Sequence, residues 1–343
     1  MRFSLMTSVV ALEGGSRHWD LDGYLSDCRL AEELGYFAVY KGERRGQGLA
    51  SGQHGAVNSA TLLGSYVLAH TRTLVFGTDI VILPLYHPTI LIQDATMVNA
   101  MYGGRFRLGV GAGYSEDDLA VTGVVRRERV AYMKAGLDAF DAYRNGRSHS
   151  LEGGPWKGEV PIPDPAMGEH RPEILVGAWT PAGARLSALG DAWSSGPISR
   201  VEQLQHLAEI YREACGAEGK QARVVVMRDG CIGESREEAL ALAANVLDYH
   251  RIYFARGRAY DARWERQLNG ITDATALTLE MVLEDRVLCG TPDDWVAQLT
   301  AWQARLGVEE FVIRLGFFLG PSREVVQRQI RLVANEVIPR MAK

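Results

Sequence analysis

The sequence predicts an α/β fold, a (β/α)8 TIM barrel formed by a single domain over residues 1–343. Three observations favour this class. Short β-type runs alternate with helical patterns almost from end to end, eight such runs can be recognised, and 343 residues lie within the size range of one large barrel. A doubly wound sheet is the alternative, but such a sheet usually has fewer strands and needs no eighth.

Each predicted strand is a short apolar or β-branched run, and the third is apolar enough to be buried on both faces. This third strand is interrupted by a polar Gly-Thr-Asp at 77–79, which predicts a bulge. The eight strands are predicted at 2–6, 36–40, 74–76 with 80–83, 105–110, 173–177, 191–195, 223–227 and 311–315.

Between the strands, apolar residues recur at helical spacing. Gly35 can end the first helix, and Pro88 and Pro181 suit the first helical position. Two irregular insertions, near 146–172 and 255–285, are long for connections and are candidate lids. Helices are predicted at 21–34, 59–70, 88–102, 126–144, 181–189, 200–214, 235–254, 293–306 and 322–340.

Composition argues against several classes of protein. A net charge of −5 without a long basic run disfavours nucleic acid or an anionic membrane as a partner. The four cysteines form no C-x-x-C pair, and the eight histidines show no H-x-H or H-E-x-x-H spacing, so no metal site is expected. The longest apolar run, 80–85, is too short to span a bilayer, and no signal-peptide pattern is present. We therefore expect a soluble cytoplasmic protein.

A barrel carries its chemistry in the loops that follow the strands. After the fourth strand comes the run Gly-Val-Gly-Ala-Gly-Tyr at 109–114. This run does not fit the Rossmann fingerprint, because its third glycine comes one residue early. Two interpretations stay open: a tight turn that needs a positive φ, or a loop kept free of side chains so that a flat ring can approach its backbone.

The loop after the fifth strand is a candidate phosphate site. Thr180 takes the N-cap position and Pro181 the first helical position, which leaves backbone N–H groups at the start of a helix for an anion. The small residues Gly177 and Ala178 allow a ligand to approach closely. Many such caps hold no ligand, so the alternative is a purely structural cap.

Charged residues in two other loops also have two interpretations each. Asp79 either pairs with an arginine or accepts a hydrogen bond from a ring N–H of a cofactor. Glu43, Arg44 and Arg45 either form a solvated cluster or face an anionic intermediate at the mouth of the barrel.

Seven stretches, taken together and in this order, are similar to the bacterial luciferase-like flavin-dependent monooxygenases. The likeness extends from residue 2 to about residue 340. The stretches are 77–84 (GTDIVILP), His87-Pro88, 103–113 (GGRFRLGVGAG), Gly123, 172–177 (PEILVG), 190–193 (GDAW) and 289–293 (CGTPD).

The resemblance implies a barrel that binds reduced FMN, or a deazaflavin as in a sister branch of the family. The ring would lie against the ends of the third and fourth strands, and the phosphate would lie at the loop after the fifth. The implied partners are a small organic substrate, O2 and a separate flavin reductase, and many members are homodimers. Cofactor contacts are then expected from Thr78, Asp79, Ala112, Tyr114, Gly177, Ala178, Trp179 and Thr180.

Two departures from the family pattern change what is expected of this chain. Luciferases carry Glu-His-His after the second strand, and the first histidine assists the chemistry, whereas this chain has Glu43-Arg44-Arg45. Arg44 and Glu43 therefore become the candidate catalytic residues, and light emission is not expected. Luciferases also reach the flavin phosphate with an arginine at the position of Ala112, so here that contact is weaker or comes from another residue.

These considerations give one leading hypothesis and two alternatives. The first is a monooxygenase that uses reduced FMN and O2 to oxygenate a small organic substrate through a flavin hydroperoxide. The second is a deazaflavin-dependent oxidoreductase that transfers a hydride. The third is a non-catalytic flavin-binding protein, since the histidine is missing.

Overall fold

A computed structural model describes residues 1–13, 16–46, 57–151, 156–255, 264–265, 271–316 and 320–341. Its strands, in chain order, are β1 (Arg2–Met6), β2 (Val10–Glu13), β3 (Ser16–Trp19), β4 (Ala38–Lys41), β5 (Val75–Thr78), β6 (Val81–Ile82), β7 (Phe106–Gly111), β8 (His149–Leu151), β9 (Gly158–Val160), β10 (Glu173–Gly177), β11 (Ala192–Ser195), β12 (Val224–Ile232), β13 (Leu288–Gly290) and β14 (Glu310–Arg314). Its α-helices are α1 (Leu21–Glu33), α2 (Ala60–Ala69), α3 (Pro88–Met101), α4 (Glu116–Ala120), α5 (Arg129–Arg144), α6 (Pro165–Gly168), α7 (Pro181–Leu186), α8 (Val201–Ala217), α9 (Arg236–Ala255), α10 (Leu279–Leu283), α11 (Pro292–Leu306), α12 (Arg323–Leu332) and α13 (Ile338–Met341).

The fold is an α/β barrel, and the predicted fold class is confirmed. Eight of the described strands pair in the closed order β1-β4-β5-β7-β10-β11-β12-β14, with β14 returning to β1. The registers that define the pairing are parallel, as between β7 and β10 or β12 and β14. Each of the eight predicted strands overlaps one of these eight.

The structure differs from the sequence prediction mainly at short elements. The hairpins β2–β3 and β8–β9 were not predicted, and β12 runs to Ile232 instead of ending near 227. At the predicted bulge, β5 ends at Thr78 and β6 begins at Val81, with a cis peptide bond between Asp79 and Ile80. Of the insertion expected near 255–285, the described part contains α10, whereas 256–263 and 266–270 lie outside the described residues.

The chain divides into two compact units. Unit 1 comprises Met1–Val39, Ser195–Ile210 and Arg223–Lys343, and unit 2 comprises Tyr40–Ser194 and Tyr211–Ala222. Each has its own interior of buried apolar side chains. That the chain forms one domain over 1–343 stays a prediction.

Unit 1 contains a buried charged network at the end of β14. Both carboxylate oxygens of Asp229 accept hydrogen bonds from the Arg314 guanidinium, and His250 Nε2 lies 3.2 Å from Asp229 Oδ2. A further Arg314 nitrogen donates to the Tyr249 hydroxyl at 2.9 Å. Burial lowers the pKa of His250 and so favours the neutral form of its imidazole.

In unit 2, close packing brings β5 and β7 together under α2. The rings of Phe76 and Phe106 stack with their centroids 6.4 Å apart. Gly64 of α2 lies directly above them, since a Cβ at Gly64 would be 2.6 Å from a Phe76 ring carbon. A side chain at this position would push the helix off the strands. This packing fixes the two strands whose ends carry predicted site residues.

Candidate active site

The predicted site residues all belong to unit 2, at the ends of neighbouring strands. The carboxyl ends of parallel barrel strands lie at one end of a barrel, where active sites form. The structure can therefore show which of these residues meet. The segments that carry them are 43–44 after β4, 78–79 at the end of β5, 112–114 after β7 and 177–180 at the end of β10.

Three predicted residues from three different loops are in contact. The Arg44 guanidinium carbon lies 4.8 Å from the centre of the Tyr114 ring, and Arg44 Nη1 donates to the Tyr114 hydroxyl. The Tyr114 and Trp179 ring centroids are 5.2 Å apart. Contacts with a guanidinium and with an indole therefore hold Tyr114 in place.

Asp118 in α4 fixes the loop that carries Arg44. Its Oδ2 lies 2.8 Å from Arg44 Nε, and its Oδ1 accepts the backbone N–H groups of Arg45 at 2.9 Å and Gly46 at 2.8 Å. Asp118 is 1% exposed and Arg44 is 9% exposed, so little water competes for this pair. The expectation of a solvated cluster is therefore wrong for Arg44.

Asp79 meets the end of β10 through Ser194 of β11. The Ser194 hydroxyl donates to Asp79 Oδ2 at 2.8 Å, and Ser194 pairs in register with Gly177. A Cβ at Gly177 would lie 3.9 Å from Asp79 Oδ1. The carboxylate is therefore adjacent to the predicted cofactor segment and is only partly buried.

The Thr78 side chain forms hydrogen bonds within the sheet. Its hydroxyl donates to the carbonyl oxygen of Gly109 at 2.8 Å and accepts the N–H of Gly109 at 2.8 Å. The side chain is fully buried. Because the hydroxyl proton and one lone pair serve this strand pair, the Thr78 side chain holds β5 and β7 together.

Two glycines of the run at 109–114 are required by the backbone structure itself. A Cβ at Gly109 would lie 1.9 Å from the carbonyl oxygen of Thr78, and Gly113 has a φ of +70°. Ala112, which lies between Gly111 and Gly113 in the chain, is partly exposed. Arg129, the first residue of α5, donates from Nε to the Gly113 carbonyl oxygen at 3.0 Å, so a guanidinium stands beside the position where the luciferases have one.

The predicted phosphate loop forms the expected cap. Thr180 is the N-cap of α7, and its hydroxyl accepts the N–H of Gly183 at 3.2 Å. The N–H of Ala178 donates to the Ser194 carbonyl oxygen at 3.1 Å and is used by the sheet. Thr180 is exposed and Trp179 is partly exposed, so these two residues present the accessible surface of the loop.

Glu43 lies deeper than the sequence suggested. It is 2% exposed, and the Tyr86 hydroxyl donates to its carboxylate at 2.7 Å. Backbone N–H groups of Ile82 and Ala60 also donate to it, and Arg45 Nη2 lies 3.7 Å from Oε2. Burial raises the pKa of the Glu43 carboxyl to about 7 against these opposing contacts.

Four residues of this site were missed or undervalued on the sequence: Tyr86, Asp118, Ser194 and Arg129. Ser194 lies near the end of the strand predicted at 191–195, and that position alone could have flagged it. Asp118 belongs to the acidic run 116–118, which is typical of a first helical turn and does not by itself indicate a site. Tyr86 and Arg129 carry no pattern that distinguishes them from other surface residues, since their roles depend on packing between distant segments.

Over the described residues, no group of three or more His, Cys, Asp and Glu side chains is arranged to hold a metal ion. A search of the same residues finds no helix that is both long and apolar enough to cross a bilayer.

Comparison with known proteins assigns the chain to a family. Residues 1–310 match the family model described as luciferase-like monooxygenase. The chain belongs to the luciferase-like monooxygenase family. Its resemblance to this family, first seen in seven short stretches, is thereby confirmed, and so is the expectation that it is an oxidoreductase enzyme.

Relatives of this luciferase-like protein use different chemistry. It is 23% identical to 4-hydroxyprotoasukamycin monooxygenase from Streptomyces nodosus, over 92% of this chain and 86% of the relative. It is 24% identical to an F420-dependent glucose-6-phosphate dehydrogenase from Microbacterium testaceum, over 92% and 91%. The FMN complex of the oxygenating constituent of 3,6-diketocamphane monooxygenase from Pseudomonas putida superposes with a TM-score of 0.76 at 18% identity, over 99% and 98%.

Proposed function

We propose that the protein is a monooxygenase that uses reduced FMN and O2 to oxygenate a small organic substrate. The observation that carries this proposal is the contact between Arg44, Tyr114 and Trp179, which joins three strand-end loops of unit 2. The family model and the monooxygenase relative favour oxygenation. The 3,6-diketocamphane enzyme is described as an oxygenating constituent, and by analogy we propose that a separate flavin reductase supplies the reduced FMN here.

The residues present fit a flavin. Its ring offers N–H groups and carbonyl oxygens, for which Asp79 can accept and Ser194 can exchange hydrogen bonds. Its aromatic face suits Tyr114 and Trp179, which are both partly exposed. Its phosphate suits the N-cap at Thr180, where α7 begins, because the N–H of Ala182 and the Thr180 hydroxyl can donate there.

Arg129 is the residue that we propose for the phosphate contact absent at Ala112. Its guanidinium is held by the carbonyl oxygens of Gly113, at 3.0 Å, and Arg126, at 2.6 Å. Partial burial and the nearby charge of Arg126 lower the pKa of Arg129, so an anion placed here would relieve an unfavourable pair of like charges.

The protein's own residues then have distinct tasks. Bound reduced FMN would supply two electrons, and one atom of O2 would go to the substrate while the other leaves as water. Arg44, held by Asp118, keeps a cation in a poorly hydrated place, where it stabilises negative charge more strongly than in water. Glu43 can hold or release a proton near neutral pH at a fixed position.

A homodimer is also part of the proposal. Three apolar residues of α3, Ile90, Met97 and Met101, are more than half exposed. They lie at i, i+7 and i+11 and so form one stripe along the helix. Leu62, on the neighbouring α2, is 74% exposed. Apolar surface of this kind marks an interaction site, and a second copy of the chain would bury it.

A deazaflavin-dependent oxidoreductase is the second candidate. The similarity to an F420-dependent dehydrogenase over 92% of the chain favours it, and the missing histidine removes one argument for luciferase-type chemistry. Such an enzyme would use the same fold to transfer a hydride and would need no O2.

The proposed function can be tested by cofactor binding and oxygen use. The purified protein is titrated with oxidised FMN and with F420, and stopped-flow absorbance is recorded when a complex with reduced FMN meets O2. We expect FMN to bind and an oxygen adduct to decay slowly, with an absorbance spectrum that differs from those of oxidised and reduced FMN. Binding of F420 alone would replace the proposal with the dehydrogenase. Binding of FMN without adduct or turnover would indicate a flavin carrier.

A further inference from the structure

The Tyr86 hydroxyl lies between the Glu43 carboxylate and the Arg45 guanidinium. Tyr86 follows the 3-10 turn Leu83–Leu85, and its hydroxyl lies 2.7 Å from both carboxylate oxygens of Glu43. Arg45 donates to the same hydroxyl oxygen from Nε at 3.0 Å and from Nη2. The guanidinium carbon lies 5.2 Å from the centre of the Tyr86 ring. We call the side chains of Glu43, Tyr86 and Arg45 the Glu43 triad.

The hydrogen-bond directions in the Glu43 triad are fixed by chemistry. A guanidinium can only donate, so the Tyr86 oxygen must accept from Arg45. A phenol has one proton, and the structure directs it to Glu43. Tyr86 therefore donates to the carboxylate while its lone pairs hold Arg45.

Few other groups face Glu43. Backbone N–H groups of Ile82 and Ala60 donate to it from the end of β6 and from the start of α2. Arg44, the next residue, is paired with Asp118. The charged and titratable side chains described at the carboxylate are therefore Tyr86 and Arg45, and these two decide how readily it ionises.

The triad differs in exposure from end to end. The Glu43 side chain is 0% exposed and the Arg45 side chain is 31% exposed. Tyr86 is intermediate. A change of charge at the buried end can thus be felt at an accessible cation two hydrogen bonds away.

On the basis of the proposed function, we propose that Tyr86 is a positioning residue that couples the protonation of Glu43 to the charge that Arg45 presents to the substrate. With Glu43 ionised, the triad has no net charge and Arg45 is held by the phenol. With Glu43 protonated, the attraction across 3.7 Å is lost and the triad carries one positive charge. An anionic oxygen of the substrate would then bind Arg45 with uptake of one proton.

Removing the Tyr86 hydroxyl should therefore change the titration of Glu43. The carboxylate would lose a donor that favours its charged form, and its pKa should rise. A hydrogen bond to a buried charge corresponds to about one pH unit or more. The pKa of Glu43 should move from about 7 to roughly one unit higher.

The experiment follows carboxyl ¹³C NMR signals of the full-length protein, labelled at glutamate Cδ, through a pH titration without cofactor. Glu43→Gln identifies the signal. We expect Tyr86→Phe to shift its midpoint upward and Tyr132→Phe to leave it unchanged. Tyr132 is the matched control, because its hydroxyl also donates to a carboxylate, that of Glu128 at 2.6 Å.

The same variants are then assayed for turnover against pH, and the alkaline limb, where Glu43 loses its proton, should move with the NMR midpoint. An unshifted midpoint in Tyr86→Phe would overturn the proposal. If that variant does not fold, Arg45→Met serves instead, since losing the opposite charge should also raise the midpoint. A shifted midpoint in a protein that binds no FMN would overturn the proposed function, whereas the coupling of Glu43 to Arg45 through Tyr86 would still hold.

Discussion

At the scale of single residues, Glu43 differs clearly from an ordinary surface carboxylate. It is buried beside Tyr86 and Arg45 and keeps a proton to about pH 7. A buried carboxyl of this kind costs folding free energy whenever it must ionise. That cost can be measured as a pH dependence of stability, independently of any activity.

Glu43→Gln should flatten the dependence of unfolding free energy on pH. The folded-state pKa of about 7 lies above the ordinary 4.5, so the folded state binds the proton more tightly. The stabilisation is complete below pH 4.5 and is lost as pH rises to 7. Wild type should lose about 3 kcal/mol more than the variant across this window.

Denaturant unfolding at several pH values measures this difference. Glu209→Gln is the control, because Glu209 is an exposed residue of α8 and its loss should leave the slope unchanged. Equal slopes in wild type and Glu43→Gln would show that Glu43 ionises normally in the folded protein.

Arg129→Met should weaken FMN binding. A charge-assisted hydrogen bond to phosphate contributes about 1.5–3 kcal/mol, so Kd should rise at least about tenfold. Fluorescence quenching of FMN measures Kd directly. Arg127→Met is the matched control, since the Arg127 side chain is 82% exposed and belongs to the same segment. Equal affinities for the two variants would place the phosphate elsewhere.

At the scale of elements, the strands and helices with a regular apolar pattern could be predicted from the sequence, and short elements without such a pattern could not. The eight barrel strands were recognised because each is a short apolar run between helical patterns. The hairpin β8–β9 was missed because three-residue strands such as His149–Leu151 show no period. The final helix was predicted as continuous over 322–340, but a π-helical turn at Val333–Val337 separates α12 from α13.

The site shows the same division. Segments at strand ends were predictable, because a barrel concentrates its loops at one end, and Arg44, Tyr114 and Trp179 do come together. Tyr86 could not be predicted, because its role arises only when the turn after β6 packs on the loop after β4. Burial of Glu43 was equally invisible, since the neighbouring sequence is charged.

Gly109→Ala should disrupt the pairing of β5 and β7. The new Cβ would lie 1.9 Å from the carbonyl oxygen of Thr78, and a backbone atom cannot move aside without shifting its strand. Both hydrogen bonds between Thr78 and Gly109 would also be strained. We expect a loss of about 3 kcal/mol or more in unfolding free energy.

Urea denaturation checks this expectation. Gly216→Ala in α8 is the control, since nothing lies within 4 Å of its Cβ position, and alanine there should be neutral or slightly stabilising. A Gly109→Ala protein as stable as wild type would mean that β5 and β7 can separate at little cost.

At the scale of the whole molecule, family membership identifies the class of enzyme, whereas the choice of cofactor depends on individual residues. The family match over residues 1–310 establishes the class of enzyme. It does not select between FMN and F420, because a monooxygenase and an F420-dependent dehydrogenase both align along most of the chain. The choice depends on the particular residues of unit 2, where arginines occupy the places of the luciferase histidines.

A homodimer of this protein would bury the apolar stripe of α3. If the stripe of Ile90, Met97 and Met101 is buried between two copies, Met97→Glu places a charge at its centre and should dissociate them. Light scattering should give about twice 37.8 kDa for wild type and 37.8 kDa for the variant. Val121→Glu is the control, because Val121 is 56% exposed but lies outside the stripe, and it should stay dimeric. A monomeric wild type would refute the assignment, and a dimeric Met97→Glu would move the interface to another surface.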